Sequence, residues 1–376
     1  MALFDVYKLQ PITPVKASGS WVWDERGQRY LDFYGGHAVI SIGHNHPHWV
    51  DALQQQLGRI SFYSNSIQNP LQEQLAERLA QQSGYPDYRL FLCNSGAEAN
   101  ENALKIASFV TGKAGIVAFN KAFHGRTSAA VAATDNPKIV APVNAGHHVR
   151  FLPWNDISAL DAGLDQSIGA VIIEGIQGVG GIHEPEAAFL QALERLCQQR
   201  NILLILDEVQ SGFGRTGKFF AHQWAGIRPP LITMAKGMGN GFPVGGVLIS
   251  PDIAAWSGML GTTFGGNYLA CAATLAVLEV MEQQNLMQNA LDQEQVLRRM
   301  LAAFPGLSPL RGRGLMLGFE APEGLPLRQQ LLEQHHIFTG EAGLRTLRLL
   351  PSLAIGADET SYLAEALQQL SKEVVA

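Results

Sequence analysis

Short runs of residues that are apolar at nearly every position recur along this sequence and restrict its fold more than any other feature. They lie at Leu90–Cys93, Ile116–Phe119, Ala170–Glu174, Ile202–Leu206 and Val247–Ser250, with helix-like segments between them. A strand with one wet face alternates apolar and polar residues, whereas a strand buried on both faces does not. Such runs separated by helices predict an α/β architecture in which helices cover both faces of a mostly parallel sheet.

A chain of 376 residues exceeds the usual size of a single core, so one large and one smaller domain are expected. Gly19–Phe33 alternates in β fashion around a turn at Asp24–Gly27, and helices are predicted at His48–Leu57 and Leu71–Gln82. The apolar, helix-forming stretch Ala270–Gln283 reads as a long buried helix linking the domains. A helix at Ala290–Phe304, strands near Leu315–Phe319 and Thr346–Leu349 and an amphipathic helix at Asp358–Lys372 complete the expectation. This places a large domain at residues 41–274 and a small α/β domain at residues 1–40 and 275–376.

The net charge of −6 offers no basic surface for nucleic acid or an anionic membrane. Three widely spaced cysteines, Cys93, Cys197 and Cys271, with no CxxC pair, fit a reducing compartment better than a disulfide framework. The first ten residues have neither the signal-peptide nor the transit-peptide pattern, and no apolar run reaches the roughly 18 residues of a membrane span. A cytoplasmic protein is expected.

Two of the apolar runs end in reactive side chains. Ile202–Leu206 is followed by Asp207, and Leu231–Ala235 by Lys236 in the glycine-rich segment Lys236-Gly-Met-Gly-Asn-Gly. Open α/β sheets gather ligands at the carboxyl ends of parallel strands, so the two segments can deliver an acid and an amine to one crevice. A carboxylate for a pyridinium nitrogen and a lysine for a Schiff base are what pyridoxal 5'-phosphate requires of a protein. Asp207 would also keep that nitrogen protonated, and Gln210, three residues on, could hydrogen-bond the ring hydroxyl. The competing reading of Asp207 is a structural aspartate capping the next turn.

Two further segments follow strands. In Cys93-Asn-Ser-Gly-Ala-Glu98, Ser95 is a suitable helix N-cap and Glu98 completes a capping box, which leaves the amides of Gly96 and Ala97 available to a phosphate. In Phe123-His-Gly-Arg-Thr127, Phe123 can stack on a flat heterocycle and Arg126 can clamp a carboxylate. Alone, each is more often ordinary capping, a core aromatic or a surface ion pair. His44, His46 and His48, spaced around Pro47 with no nearby set of acids or cysteines, do not make a metal site.

Taken together the motifs Asn94-Ser-Gly-Ala-Glu-Ala-Asn, Phe123-His-Gly-Arg-Thr, Asp207-Glu-Val-Gln, Lys236 and Gly261-Thr-Thr-Phe-Gly-Gly-Asn267 stand in a fixed order. The chain resembles, over essentially its whole length, the class III (subgroup II) pyridoxal-phosphate aminotransferases of fold type I, and most of all the acetylornithine and succinylornithine aminotransferases. The resemblance implies that Lys236 is the Schiff-base lysine and carries the proton, with Asp207 on the pyridine nitrogen, Gln210 on the ring oxygen and Phe123 stacked on the ring. Gly96 and Ala97 would hold the phosphate, joined by Thr263 from the other subunit of a homodimer with active sites at its interface. Arg126 would take the α-carboxylate of an N2-acylated ornithine, which Thr262 also contacts, and Arg348 the α-carboxylate of glutamate or 2-oxoglutarate. The implied reaction moves the distal amine of the acylornithine to 2-oxoglutarate, giving the N-acylglutamate 5-semialdehyde and glutamate, in arginine biosynthesis. Ornithine, 4-aminobutyrate or N-acylated lysine as donor, and aminomutase chemistry on the same fold, stay open.

Two departures concern the substrate. Many relatives carry a glutamate where this chain has Val179, and that glutamate pairs with the arginine found here as Arg348. Its absence leaves Arg348 to be neutralised otherwise or to stay open to anions, which could favour a donor with an extra carboxylate such as a succinylated ornithine. His37, where relatives carry tyrosine or an aliphatic residue, could hydrogen-bond a substrate acyl group or carboxylate, or serve only as a bonded residue at the domain junction.

Overall fold

The computed structural model describes residues 1, 3–304, 306–323, 325–343 and 345–375. Three strands open the chain, β1 (Pro14–Ser18), β2 (Trp21–Asp24) and β3 (Arg29–Asp32), joined as an antiparallel meander. Asp24 organises the β2–β3 turn by accepting from the amides of Arg26 (3.0 Å) and Gln28 (2.8 Å).

A seven-stranded sheet follows, built of β4 (Arg89–Cys93), β5 (Gly115–Phe119), β6 (Val149–Leu152), β7 (Ile168–Glu174), β8 (Leu203–Asp207), β9 (Leu231–Met234) and β10 (Gly245–Ile249). Its order is β4-β10-β9-β8-β7-β5-β6. The ladders from β9 to β6 are parallel, and β10 runs antiparallel to both β9 and β4. Two features escape sequence reasoning. The edge strand β6 alternates (Val-Arg-Phe-Leu) and lacks the all-apolar signature, and the direction of β10 leaves no trace in its composition.

Alternate residues of the central strands feed two cores, as two-sided burial demands. Val171 and Ile173 of β7 and Leu204 and Leu206 of β8 pack with Phe189, Leu193 and Cys197 of helix Ala187–Gln199. Ala170, Ile172 and Ile205 point the other way, against Ala99, Ala103, Ile106 and Ala107 of helix Gly96–Thr111. Each fully buried Leu, Ile or Phe contributes about 1.5–3 kcal/mol.

The predicted long helix is Tyr268–Gln283, with Ala270, Cys271, Leu275, Val277, Leu278, Val280 and Met281 all buried. The C-terminal part forms β11 (Arg311–Arg313), β12 (Met316–Glu320), β13 (Ile337–Phe338), β14 (Gly340–Ala342) and β15 (Thr346–Leu349). One sheet is β11-β12-β15-β14, while β13 joins β3 in parallel, so N- and C-terminal segments share a sheet. The largest apolar cluster runs from Leu31 and Phe33 through Leu92 and Leu278 to Leu349 and Leu363. One continuous core therefore spans residues from both expected domains.

Candidate active site

The parallel strands β5, β7, β8 and β9 end at one edge of the sheet, where Phe123, Glu174, Asp207 and Lys236 all line a cavity of about 690 Å³. Asp207 ends β8 with its carboxylate buried. Its Oδ2 accepts from His124 Nδ1 (2.7 Å) and Asn100 Nδ2 (2.8 Å), and its Oδ1 from the Val209 amide (3.0 Å). The turn-capping role and the buried role thus coexist in one side chain. Asn100 is itself fixed, donating to the His124 carbonyl (2.7 Å) and accepting from Thr233 Oγ1 (2.7 Å). The local sequence around Asn100 and His124 points to no role for either side chain. The available signal is a polar Asn100 on the otherwise apolar face Ala99, Ala103, Leu104 of its helix.

Lys236 follows β9 in a left-handed backbone conformation, φ +48°. A non-glycine residue there is strained, as residues at functional sites often are. Desolvation lowers its amine below the ordinary lysine pKa and Arg348 adds to the effect, opposed by the carboxylates of Asp207 and Glu174. Glu174, whose local sequence also points to no role, is a buried carboxyl opposite Asp207 in the β7–β8 register. It accepts from the amides of Phe123 (3.1 Å) and Gly178 (3.0 Å), tying two loops of the site together. Burial pushes its pKa up to about 7.

At the end of β4, Ser95 caps the helix starting at Gly96 by accepting from the Glu98 amide at 3.2 Å. The capping box is displaced by one residue, because the Glu98 carboxylate reaches the Asn94 amide (2.8 Å) and the Ser95 hydroxyl (3.2 Å). Gly96 and Ala97 line the cavity as the first two residues of this helix, where amide N–H groups have no intrahelical acceptor. A Cβ on Gly96 would come within 2.6 Å of Val209, so only glycine leaves the backbone this close to the floor of the site. Gln210 donates to the His37 carbonyl (3.1 Å), and its Oε1 is buried without a partner. It lies so near Gly178 that a Cβ there would be 1.7 Å from Oε1.

Two arginines face the same cavity. Arg126 is exposed and forms no ion pair with a described residue, whereas Arg348 is buried at 4 % exposure. Arg348 Nη2 donates to Tyr34 Oη (3.1 Å), while Nε and Nη1 have no partner. His37 lies against Tyr34 rather than standing alone, with Nδ1 2.5 Å from Oη. Val179 lines the cavity and is 47 % exposed. Thr262 and Thr263 are not in this wall. Thr262 Oγ1 accepts from the Gly265 amide (3.0 Å) beside a separate hollow formed with Asn65 and Gln72, and Thr263 is exposed. The three histidines around Pro47 go separate ways: His44 to Asp32, His46 to Gln284 and His48 to Glu279.

The buried acid, the depressed lysine, the open helix N-terminus and the unpartnered Gln210 oxygen form a donor set that fits the nitrogen, aldehyde, phosphate and ring oxygen of pyridoxal phosphate. The site and fold are those of a pyridoxal-phosphate-dependent aminotransferase. The family model described as Aminotransferase class-III matches residues 5–371, and the chain belongs to that family. It is 42% identical to the acetylornithine aminotransferase of Bacillus subtilis (strain 168), over 99% of this chain and 97% of that protein. Acetylornithine aminotransferase 1 of Bordetella bronchiseptica is 39% identical over 100% of this chain and 98% of its own. Among solved structures, the ornithine aminotransferase of Toxoplasma gondii ME49 superimposes with a TM-score of 0.90 at 28% identity, covering 99% of this chain and 93% of that one.

Proposed function

We propose that this enzyme moves the distal amino group of an N2-acylated ornithine to 2-oxoglutarate, giving N-acylglutamate 5-semialdehyde and glutamate, as arginine biosynthesis requires. The observation that carries this reading is the pair of arginines in one cavity, exposed Arg126 and buried Arg348. Two substrates that alternate in one site, each with an α-carboxylate, need two such receptors if different carbons are to reach the same amine. With Arg126 on the α-carboxylate, the distal amine of the donor points inward. The names of the curated relatives agree with this donor.

When bound, pyridoxal phosphate supplies the carbonyl that takes up the amine and a ring that accepts electrons. Gly96 and Ala97 would hold its phosphate, Phe123 would stack on its ring, and Asp207 and Gln210 would hold its nitrogen and oxygen. Desolvation favours the uncharged Lys236 amine, which suits it to take a proton from the substrate carbon and return it. The buried Asp207 network keeps its carboxylate oriented while this happens.

The active unit in this reading is a homodimer in which Thr263 of each subunit completes the phosphate site of the other. Exposed Phe264, next to Thr263, packs on exposed Phe62 with ring centroids 5.3 Å apart, an apolar surface that supports it. Residues 41–274 would act as the cofactor-binding unit, and residues 1–40 with 275–376 as the smaller unit. Three buried, unpaired cysteines support a cytoplasmic location, and among the described residues no helix is long and apolar enough to cross a membrane.

The test is a panel of amino donors (acetyl-, succinyl- and free ornithine, 4-aminobutyrate and N-acetyl-lysine) with 2-oxoglutarate as acceptor. Turnover highest on an acylornithine and strictly dependent on 2-oxoglutarate is expected. Higher kcat/KM on free ornithine or 4-aminobutyrate would overturn the donor assignment, and conversion without an acceptor would indicate a mutase. A clear preference for acetyl- over succinylornithine would remove the idea that an open Arg348 selects a donor with an extra carboxylate. Lys236→Ala should abolish turnover.

A further inference from the structure

Arg348 differs from the other buried arginine Arg215, whose guanidinium donates to the carbonyls of Leu315 and Pro351, in keeping nitrogens without acceptors. It is nearly fully buried, it faces the cavity, and no carboxylate among the described residues lies in hydrogen-bond contact with it. Its described hydrogen-bond partner is a neutral phenol, and two of its nitrogens, Nε and Nη1, have none. Glu174 and Glu341 act on it only through space, and a buried guanidinium with two nitrogens left unbonded is costly, so a cavity that keeps one is suited to receive an anion.

The phenol is held with care. Arg348 can only donate, so Tyr34 Oη accepts from it and its own proton is left for His37 Nδ1, 2.5 Å away. That requires a neutral His37 with its proton on Nε2. Desolvation lowers the His37 pKa, and the charges of Arg348 and Lys236 lower it further. The Tyr34 ring fills the space over Gly340, where a Cβ would be 2.2 Å from a ring carbon, and Gly340 pairs with Arg348 in the β14–β15 ladder. His37 reaches Tyr34 through four successive left-handed residues, Gly35 (φ +55°), Gly36 (+54°), His37 (+70°) and Ala38 (+64°). Asp32 anchors this turn through the amides of Tyr34 (2.9 Å) and Gly35 (2.8 Å). Two non-glycine residues in that conformation are strained, which marks the turn as positioned for a purpose.

We propose that Tyr34 and His37 are positioning residues that hold Arg348 as a standing carboxylate receptor, with Nε and Nη1 presented to the dicarboxylate acceptor and no acidic side chain to be displaced first. The proposal rests on the assignment of Arg348 to the acceptor's carboxylate. Because the neutral relay carries no charge of its own, it orients the guanidinium without competing with the incoming anion.

The experiment is calorimetric titration of the holoenzyme with glutarate, a dicarboxylate that cannot react, alongside KM values for 2-oxoglutarate and the amino donor. Tyr34→Phe removes the acceptor of Arg348 Nη2. His37→Asn and His37→Gly both tolerate a left-handed backbone, but only asparagine keeps an acceptor near the Nδ1 position. Tyr34→Phe and His37→Gly should weaken glutarate binding and raise the 2-oxoglutarate KM roughly tenfold, while the donor KM changes far less. His37→Asn should restore glutarate affinity to within about threefold of the parent. Glutarate affinity unchanged in Tyr34→Phe and His37→Gly would overturn the proposal. So would equal losses in His37→Asn and His37→Gly, or parallel losses for donor and acceptor. Should Tyr34→Phe fail to fold, the His37 pair decides alone. Arg348→Ala separates the two levels: undiminished glutarate binding there refutes the role of Arg348 itself, whereas its loss with the His37 pair unaffected refutes only the positioning role.

Discussion

Replacing Asn100 by alanine tests whether the acid at the end of β8 is held by a network or by a single neighbour. The side chain makes three hydrogen bonds, to Asp207 Oδ2, to the His124 carbonyl and from Thr233 Oγ1, all buried. Losing the charge-assisted bond to Asp207 costs about 2 kcal/mol, and leaving the His124 carbonyl and the Thr233 hydroxyl short of a partner about 1 kcal/mol each. A water entering the vacated space recovers part of this, so the expected loss is about 3 kcal/mol. For 376 residues the unfolding entropy is about 0.8 kcal/mol/K, which converts that loss to a fall in Tm of about 4 °C. Asp207 keeps its bonds to His124 and the Val209 amide, so kcat/KM should fall by only about tenfold. Differential scanning calorimetry and steady-state kinetics on Asn100→Ala, Thr233→Val and the double variant provide the readout. Asn100→Ala already strands Thr233, so the double variant should be less damaged than the two single losses combined by about 1 kcal/mol. Additive losses, or a Tm shift below about 1 °C with unchanged kinetics, would refute the network.

Glu174 makes the stability pH-dependent in a defined direction. Its carboxyl is raised to about 7 in the folded protein against an ordinary value of 4.5, so its contribution is fully present below about pH 4.5 and lost as pH rises through about 7. The loss is of order 3 kcal/mol, and Glu174→Gln should flatten the fall in urea midpoint between pH 5 and pH 8 relative to the parent. Gly178→Ala drives a methyl group into Gln210 Oε1 and should weaken pyridoxal phosphate binding by about tenfold in a fluorescence titration, with the Tm of the cofactor-free protein little changed. Phe264→Ser, on the apolar patch beside Thr263, should shift the protein from dimer toward monomer in sedimentation and lower its cofactor affinity in the same concentration range; a dimer that persists at nanomolar concentration would count against that interface.

The residues that reach the site directly along the chain were legible in the sequence. Asp207 and Lys236 each end a buried strand, and Ser95 and Gly96 mark a strand-to-helix turn. Hydrophobic burial fixes the strands, and the ends of parallel strands converge by geometry, so local patterns suffice to predict that convergence. Asn100, His124, Glu174 and Tyr34 were not legible as partners, because their roles depend on which residue lies opposite across 24 to 314 positions of sequence. Nothing local distinguishes Glu174 from any other acid at a strand end until the β7–β8 register sets it beside Asp207.

The sequence by itself thus determined the two-sided sheet, the capped helix N-terminus and the acid and amine at its edge, because each follows from the burial or conformational preference of neighbouring residues. Only the tertiary structure decided the antiparallel course of β10, the three-bond setting of Asp207 and the way Arg348 is held. Those depend on pairings between distant segments, where the energy of a hydrogen bond is set by who else is buried with it. The fold alone sets Val179 in the cavity wall and brings Tyr34, on a left-handed turn with His37, within hydrogen-bond reach of Arg348.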